Sequence, residues 1–440
     1  MTETIRFHDL RNATVISEAL FARTETDLSG IITQVEPIIA AVRAEGDAAL
    51  QRFARAFDGV TAETMELRAS EAEFEAAFVG FDPAMIETLK LAIDNIRRFH
   101  EAQKPEEMWM KEIRPGVWTG DRMLPIESVA CYVPRGKGAF PSVVNMTCIP
   151  ALVAGVKRVI IITPPGPDGK VDAGTLVAAK LIGVTEVYKC GGAQGVAAVA
   201  HGTQTVPKCV KIVGPGSPYV VAAKRLLAQI IDPGTPAGPS EAIILADDSI
   251  NGALAALDLI IESEHGPDSS AYLVTDSPRV AQEAREALPR YWAQMDEKRA
   301  GFSKAVLCGS HGGIVLTRDF NMAVEFVNGY APEHLEILTK EPLAVLGRIV
   351  NAGEILLGEY TPVTMANYLL GPNAVLPTNR AARTSSPLCV FDYMKRASIA
   401  HVTSAAYPAL AEHAHRFASY EGFDGHARAV SPLRMTLLGK

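Results

Sequence analysis

From about residue 127 to residue 357, short apolar runs alternate with helical stretches, and this alternation limits the possible folds more than any other feature of the chain. Ser128–Val133 reads as a strand, Val143–Ala154 as a helix, and Arg158–Thr163 (RVIIIT) as a strand stopped by Pro164-Pro165. Ala173–Leu181 is then helical, Glu186–Cys190 a strand and Ala193–Ala200 a helix. Cys209–Val213 runs into Gly214-Pro215-Gly216 before a helix over Tyr219–Gln229. A second series has strands at Ala242–Ala246, Ala271–Thr275, Gly313–Leu316, Leu335–Leu338 and Glu354–Leu357. Its helices fall at Gly252–Glu264, Arg279–Leu288, Met322–Tyr330 and Leu343–Ile349. Continuous apolar strands joined by helices imply parallel sheets covered on both faces, so the class is α/β. Two series imply two open sheets, with the cleft between them as the default site.

The first 125 residues are expected to be helical. Ile32, Val35, Ile38, Ile39, Val42 and Leu50 recur mostly at spacings of three and four, with a break at Gly46. Residues 83–102 carry a second broad apolar face, and the tail after about residue 385 is mixed and ends in short helices.

At 440 residues the chain has room for two or three domains, and its 48% hydrophobic and 21% charged content is that of a globular protein. A net charge of −8 with scattered Lys and Arg argues against a nucleic-acid partner. No apolar run reaches the roughly 18 residues that a membrane helix needs. The N-terminal residues lack the apolar core of a signal peptide, so the cytoplasm is the expected address. The six cysteines form no CxxC pair and read as buried thiols.

Four segments carry candidate chemistry. In Glu262-Ser263-Glu264-His265-Gly266-Pro267, Glu262 and His265 stand three apart at a helix end and could share one metal. On this motif alone, a solvated Glu and a His favoured by the helix dipole are the simpler reading. In Tyr330-Ala331-Pro332-Glu333-His334, an adjacent carboxylate and imidazole suit proton transfer. Adjacent strand residues face opposite ways, however, so both reach one site only in a turn. Gly358–Thr378, with Asn367 and Gly371-Pro372-Asn373-Ala374, reads as an ordered loop that either binds or simply packs. Glu421-Gly422-Phe423-Asp424-Gly425-His426 fits either a site or an ordinary surface. A GxGxxG fingerprint is absent; Gly191-Gly192-Ala193-Gln194 and Gly214-Pro215-Gly216-Ser217, each between a strand and a helix, are the candidate dinucleotide loops.

Taken in order, these segments resemble histidinol dehydrogenases. The resemblance rests on Glu127–Pro134, Gly191–Gln194, Val213–Gly216, Pro236–Glu241, Glu264–Ser269, Pro332–Leu335 and Val375–Thr378, and runs from about residue 30 to 435. It implies two incomplete Rossmann-like domains with parallel sheets, plus helical N- and C-terminal segments. By that resemblance, residues 1–130 with 236–385 form the metal and substrate side, 131–235 the cofactor side, and 386–440 a dimerisation segment. It further implies a homodimer whose C-terminal segment completes the neighbour's site, one zinc per subunit, and two successive NAD-dependent oxidations of an alcohol to an acid. By position, Glu262, His265, Asn367 and His426 match zinc ligands, and Glu333 and His334 match the acid/base pair. Ser240, Glu421 and His334 match substrate contacts, while Tyr132, Gln194 and Ser217 match cofactor contacts.

The departures are specific. The family's glutamine and aspartate zinc ligands are replaced by Glu262 and Asn367, a reciprocal swap that preserves formal ligand charge. Ala374 stands where the family has a histidine, Ser217 where it has an asparagine, and Arg135-Gly136-Lys137 where it has a more glycine-rich loop. Alternative readings are a paralogous dehydrogenase of another small alcohol, such as a sulfonated diol or amino alcohol, and a catalytically silent nucleotide-binding homologue.

Overall fold

Burial on both faces makes the central strands apolar along their whole length, and the computed structural model arranges them in two parallel sheets. It describes residues 4–23, 28–135, 138–236 and 238–439. Gly136 and Lys137 of the loop singled out above, Ala237 of the Pro236–Glu241 segment, and the first three residues of the N-terminus lie outside the described residues.

The chain opens with β1 (Phe7–Asp9), α1 (Ser29–Glu45), α2 (Asp47–Phe57), α3 (Glu71–Phe78), α4 (Pro83–Gln103), β2 (Met108–Arg114) and β3 (Val117–Pro125). The first alternating series is β4 (Ser128–Tyr132), α5 (Pro141–Ala154), β5 (Arg158–Thr163), α6 (Ala173–Ile182), β6 (Val187–Lys189), α7 (Gly192–His201), β7 (Lys211–Val213) and α8 (Pro218–Leu226). The second begins with β8 (Glu241–Ala246), α9 (Gly252–Ser263), β9 (Ser270–Thr275), α10 (Pro278–Trp292), α11 (Glu297–Leu307) and β10 (Gly312–Leu316). It continues through α12 (Phe320–Tyr330), β11 (His334–Leu338), α13 (Pro342–Leu346), β12 (Glu354–Leu357) and α14 (Val363–Tyr368). β13 (Met394–Val402), α15 (Tyr407–Tyr420), α16 (Asp424–Ala429) and α17 (Pro432–Leu437) close the chain.

Two compact units result. The first joins Met1–Lys104 to Ile126–Tyr393, and the second joins Pro105–Pro125 to Met394–Lys440. The first unit holds a six-stranded sheet, ordered β1-β10-β9-β8-β11-β12, and a four-stranded sheet, ordered β6-β5-β4-β7. Every pairing in both is parallel. α1 lies against α7 and α8, and α2 against α7, so Val35, Val42 and Leu50 share a core with Ile160, Ile162 and Ile212 of the four-stranded sheet. Gly46, at φ +60°, breaks the helical run between α1 and α2, in a backbone region that glycine enters without strain.

The second unit corrects the expectation of an all-helical start. Residues 108–125 form the β2–β3 hairpin, joined by β13 into an antiparallel three-stranded sheet beside α15–α17. β2 is exposed at nearly every position, so no alternation of apolar and polar residues marks it in the sequence. β13, largely exposed, and β1 are the other strands missed; β1 is three residues long and is held as an edge strand by β10.

In β11 the alternation is clear. Leu335 and Ile337 enter one core with Phe326 and Tyr330 of α12, while Leu338 packs with Ala255, Ala256 and Leu259 of α9. His334 and Glu336 therefore share the α9 face.

Candidate active site

The strands β8, β11 and β12 are adjacent, and each begins with an ionisable residue: Glu241, His334 and Glu354. His334 and Glu354 are direct partners in the parallel register. His334 Nδ1 lies 2.9 Å from Glu354 Oε2, which fixes the ring and leaves Nε2 as the outward nitrogen. Just before the strand, Ala331 adopts the left-handed conformation (φ 57°) and Pro332 follows, so Glu333 stands in a turn. The turn lets adjacent residues converge: Glu333 Oε1 is 3.9 Å from His334 Nε2. The other oxygen, Oε2, accepts the Glu241 backbone N–H at 2.9 Å. The Glu241 side chain is itself held by a buried pair with Arg23 at 2.9 Å and by the Asn379 amide at 2.7 Å.

α9 supplies the facing groups. Asn251 caps its N-terminus, and Gly266-Pro267 prevents its continuation. Glu262, in the last turn, is 1% exposed, which is costly for a carboxylate unless it is satisfied. Asn367 Nδ2 donates to its Oε1 at 2.9 Å, and His265 Nδ1 lies 3.3 Å from its Oε2. Ser240 also hydrogen-bonds it. Burial would raise the Glu262 pKa, but nearby His334 and His265 and the Asn367 and Ser240 bonds outweigh it and hold the group ionised.

The acid/base pair is strongly perturbed. Burial pushes Glu333 up to about 8, with Glu262 adding to the shift while His334 opposes it. Burial works against a charged His334, yet Glu262, Glu354 and Glu333 together raise it to about 9. Shifts of this kind in one polar cluster mark a candidate catalytic centre.

Glu262, His265 and Asn367 thus converge at the C-terminus of α9, where the helix dipole favours a cation. Among the described residues no group of three His, Cys, Asp or Glu side chains is assembled for a metal. A carboxamide in the third place explains why, because Asn367 supplies its oxygen or its nitrogen according to how the amide is turned. One carboxylate, one imidazole and one carboxamide oxygen suit zinc, and the residues fit such an ion.

The cofactor candidates gather at the opposite strand ends, beyond the carboxyl ends of the four-stranded sheet. Tyr132 is the last residue of β4, and its hydroxyl accepts the Gly192 N–H at 3.1 Å. Burial lifts the Tyr132 phenol to about 12, so it stays neutral. Gln194 is buried in the first turn of α7, whose N-cap residue, Gly191, makes no side-chain capping bond. First-turn amides beyond that of Gly192 suit a dinucleotide phosphate, so this end of the sheet fits NAD. Ser217 is exposed at the N-cap of α8 and makes no capping bond.

Glu421 and His426 belong to the second unit, where both are exposed and the His426 ring lies 5.3 Å from that of Phe423. The clustered residues Ser240, Glu262, His265, Glu333, His334 and Asn367 all belong to the first unit. Glu354 and the Glu241 amide were missed in the sequence. The available signal was an acidic residue opening an otherwise apolar strand, in Glu354-Ile-Leu-Leu and Glu241-Ala-Ile-Ile.

Comparison with known proteins agrees with this geometry. The family model described as "Histidinol dehydrogenase" matches residues 21–434. A protein of Colwellia psychrerythraea named "Histidinol dehydrogenase homolog" is 60% identical over 99% of this chain and 98% of its own length. One from Synechocystis named "Histidinol dehydrogenase" is 47% identical, over 93% of this chain and 94% of its own. The crystal structure of histidinol dehydrogenase from Elizabethkingia anophelis superposes with a TM-score of 0.92 at 29% identity, covering 99% of each chain.

Proposed function

The chain belongs to the histidinol dehydrogenase family of NAD-dependent oxidoreductases, and from that premise we propose that it oxidises a small primary alcohol at the Glu333–His334 pair. The observation that carries the proposal is the His334 ring, held at Nδ1 by Glu354 and flanked by Glu333, beside the Glu262–His265–Asn367 donor set. Glu262, His265 and Asn367, with His426, would hold zinc. Tyr132 and Gln194, with Ser217, would seat NAD. When bound, zinc supplies a Lewis acid that orients the alcohol, and NAD supplies the hydride acceptor. Ser240 and Glu421 are assigned to substrate, and the cytoplasm is the assigned compartment.

In its neutral form, which prevails above about pH 9, His334 accepts the hydroxyl proton at Nε2, because Nδ1 is committed to Glu354. Glu333, ionised above about pH 8, then draws a proton from a water that adds to the aldehyde, and the hydrate is oxidised to the acid. Replacing Glu333 by Gln is therefore expected to spare the first oxidation more than the second. Equal loss of both steps would overturn this division.

L-histidinol is the first substrate to test. A second reading, another small alcohol, is favoured by Ala374, which removes the imidazole expected beside the site, and by the Glu262/Asn367 swap. The deciding measurement is nicotinamide absorbance with zinc-loaded protein, NAD and L-histidinol, with the acid quantified. Two reduced cofactors per acid support the first reading. No turnover of L-histidinol by protein that holds zinc and binds NAD, with turnover of another alcohol, supports the second. No turnover of any alcohol tested would refute the enzyme assignment.

A further inference from the structure

Below the site, a second polar contact joins the same three elements. Glu336 of β11 is fully buried and Asp258 of α9 is 5% exposed, and each carboxyl acts on the other's ionisation. The Val363 backbone amide, at the start of α14, faces Glu336. By ordinary distance and angle, neither Glu336 oxygen nor Asp258 Oδ2 has a protein donor. Two buried carboxyls in contact cannot both be ionised, and a proton between them supplies the missing donor.

We propose that Asp258 and Glu336 hold one proton between them and that this carboxyl–carboxylate hydrogen bond sets the spacing of α9, β11 and α14, making both positioning residues for Glu262, His334 and Asn367. The inference rests on the site assignment above. Its argument is one of structural repeats. Asp258 precedes Glu262 by one helical turn, Val363 precedes Asn367 by one helical turn, and Glu336 follows His334 by one pleat of the strand. The pair thus forms the layer beneath the Glu262–Asn367 bond and the His334 ring.

Apolar packing covers one side of that seam, where Val363 and Ala366 of α14 meet Ile261 of α9. A cavity of about 340 Å3 lies along it, lined by Leu257, Asp258, Ile260, Glu264, Pro362 and Thr364 among others. Apolar contact is non-directional, whereas a hydrogen bond between Asp258 and Glu336 fixes how α9 stands on β11, with the Val363 amide tying in α14. Among the described residues, the only titratable group facing each carboxyl is the other, and Glu264 lines the adjoining cavity. Burial raises Asp258 to about 6 and, together with Asp258, raises Glu336 to about 10.

The unfolded chain ionises both acids above about pH 5. The folded pair keeps one proton until about pH 10, so its contribution to stability falls as pH rises from about 6 to about 10. Glu336→Gln donates an amide hydrogen to the Asp258 carboxylate and needs no such proton. Glu336→Leu fills the space and leaves Asp258 alone.

The experiment measures Zn2+ affinity by dye competition and unfolding by denaturant across that pH window, for wild type and both variants. Glu336→Leu is expected to bind Zn2+ at least about tenfold more weakly, and Glu336→Gln within a few-fold of wild type. Relative to Glu336→Gln, wild type is expected to lose about tenfold in its folding equilibrium constant per pH unit. A folded Glu336→Leu with wild-type Zn2+ affinity would overturn the positioning role. Parallel pH slopes for wild type and Glu336→Gln would overturn the shared proton, even if Glu336→Leu fails to fold. A wild-type chain that takes up no Zn2+ defeats the metal assignment instead, and the pH slopes still judge the pair.

Discussion

Glu354 faces His334 across β11 and β12, and both groups are buried, so neither has water as a substitute partner. Removing one member of such a pair leaves a polar group uncompensated, at a cost of about 3 kcal/mol or more. Glu354→Ala is expected to lower kcat by about 10²-fold or more, because the imidazole loses the group that orients it. The loss of that carboxylate also lets burial pull the His334 pKa down from about 9, so the acid limb of the kcat profile is expected to move to lower pH. Glu354→Gln keeps an oxygen for the Nδ1 bond and is expected to lose less than about tenfold. Steady-state kinetics across pH check these outcomes; an unchanged kcat in Glu354→Ala would remove Glu354 from the mechanism. Which residues were legible beforehand follows from separation along the chain. Glu262 with His265, and Glu333 with His334, are local pairs whose convergence needs only a helix end or a turn. Glu354 meets His334 only through strand register, and Asp258 meets Glu336 only through the packing of a helix on a sheet, which local periodicity does not encode.

At the scale of elements, the alternation of strand and helix was legible because buried parallel strands tolerate few polar residues, as in Arg158–Thr163. The exposed β2–β3 hairpin has no such requirement and left no pattern. Nor did the sequence indicate that the two sheets use opposite ends. The candidate cofactor loops lie at the carboxyl ends of the four-stranded sheet, as open α/β sheets usually arrange, whereas the acid/base cluster lies at the amino ends of the six-stranded one. One cofactor loop has a buried anchor. Lys224 of α8 donates to the Gly214 carbonyl at 2.8 Å, at the end of β7, and burial lowers its pKa to about 8. Lys224→Met is expected to raise the KM for NAD by releasing that loop. The depressed lysine also has a stability signature. Between about pH 8 and the ordinary lysine value the unfolded chain binds a proton that the folded chain does not, so the Lys224 contribution to stability rises with pH across that window. Thermal unfolding of wild type against Lys224→Met should diverge there, wild type gaining with pH; parallel curves would show that folded Lys224 keeps its proton as firmly as the unfolded chain does.

At the scale of the whole molecule, the second unit exposes Phe417, Tyr420, Phe423, Leu433, Leu437 and Leu438 along α15–α17 and their connections. So much exposed apolar surface is unusual for a free monomer and supports the proposed homodimer. Whether the neighbour's His426 completes the site is decided by mixing two inactive variants. A chain with His426→Ala keeps Glu333, and a chain with Glu333→Gln keeps His426; each homodimer is expected to carry out little complete oxidation to the acid. Unfolded together and refolded, half of the dimers pair one chain of each kind. If His426 acts across the interface, the His426→Ala subunit receives an intact histidine from its partner, and that one site in the mixed dimer is whole. Acid production should then return to about a quarter of the wild-type rate, since one of two sites is restored in half of the dimers. If His426 acts within its own chain, every site in the mixture lacks one group or the other, and no activity returns. Sedimentation of the mixture separates the remaining case: a monomer throughout would remove the interface, and with it any role for a neighbour's histidine.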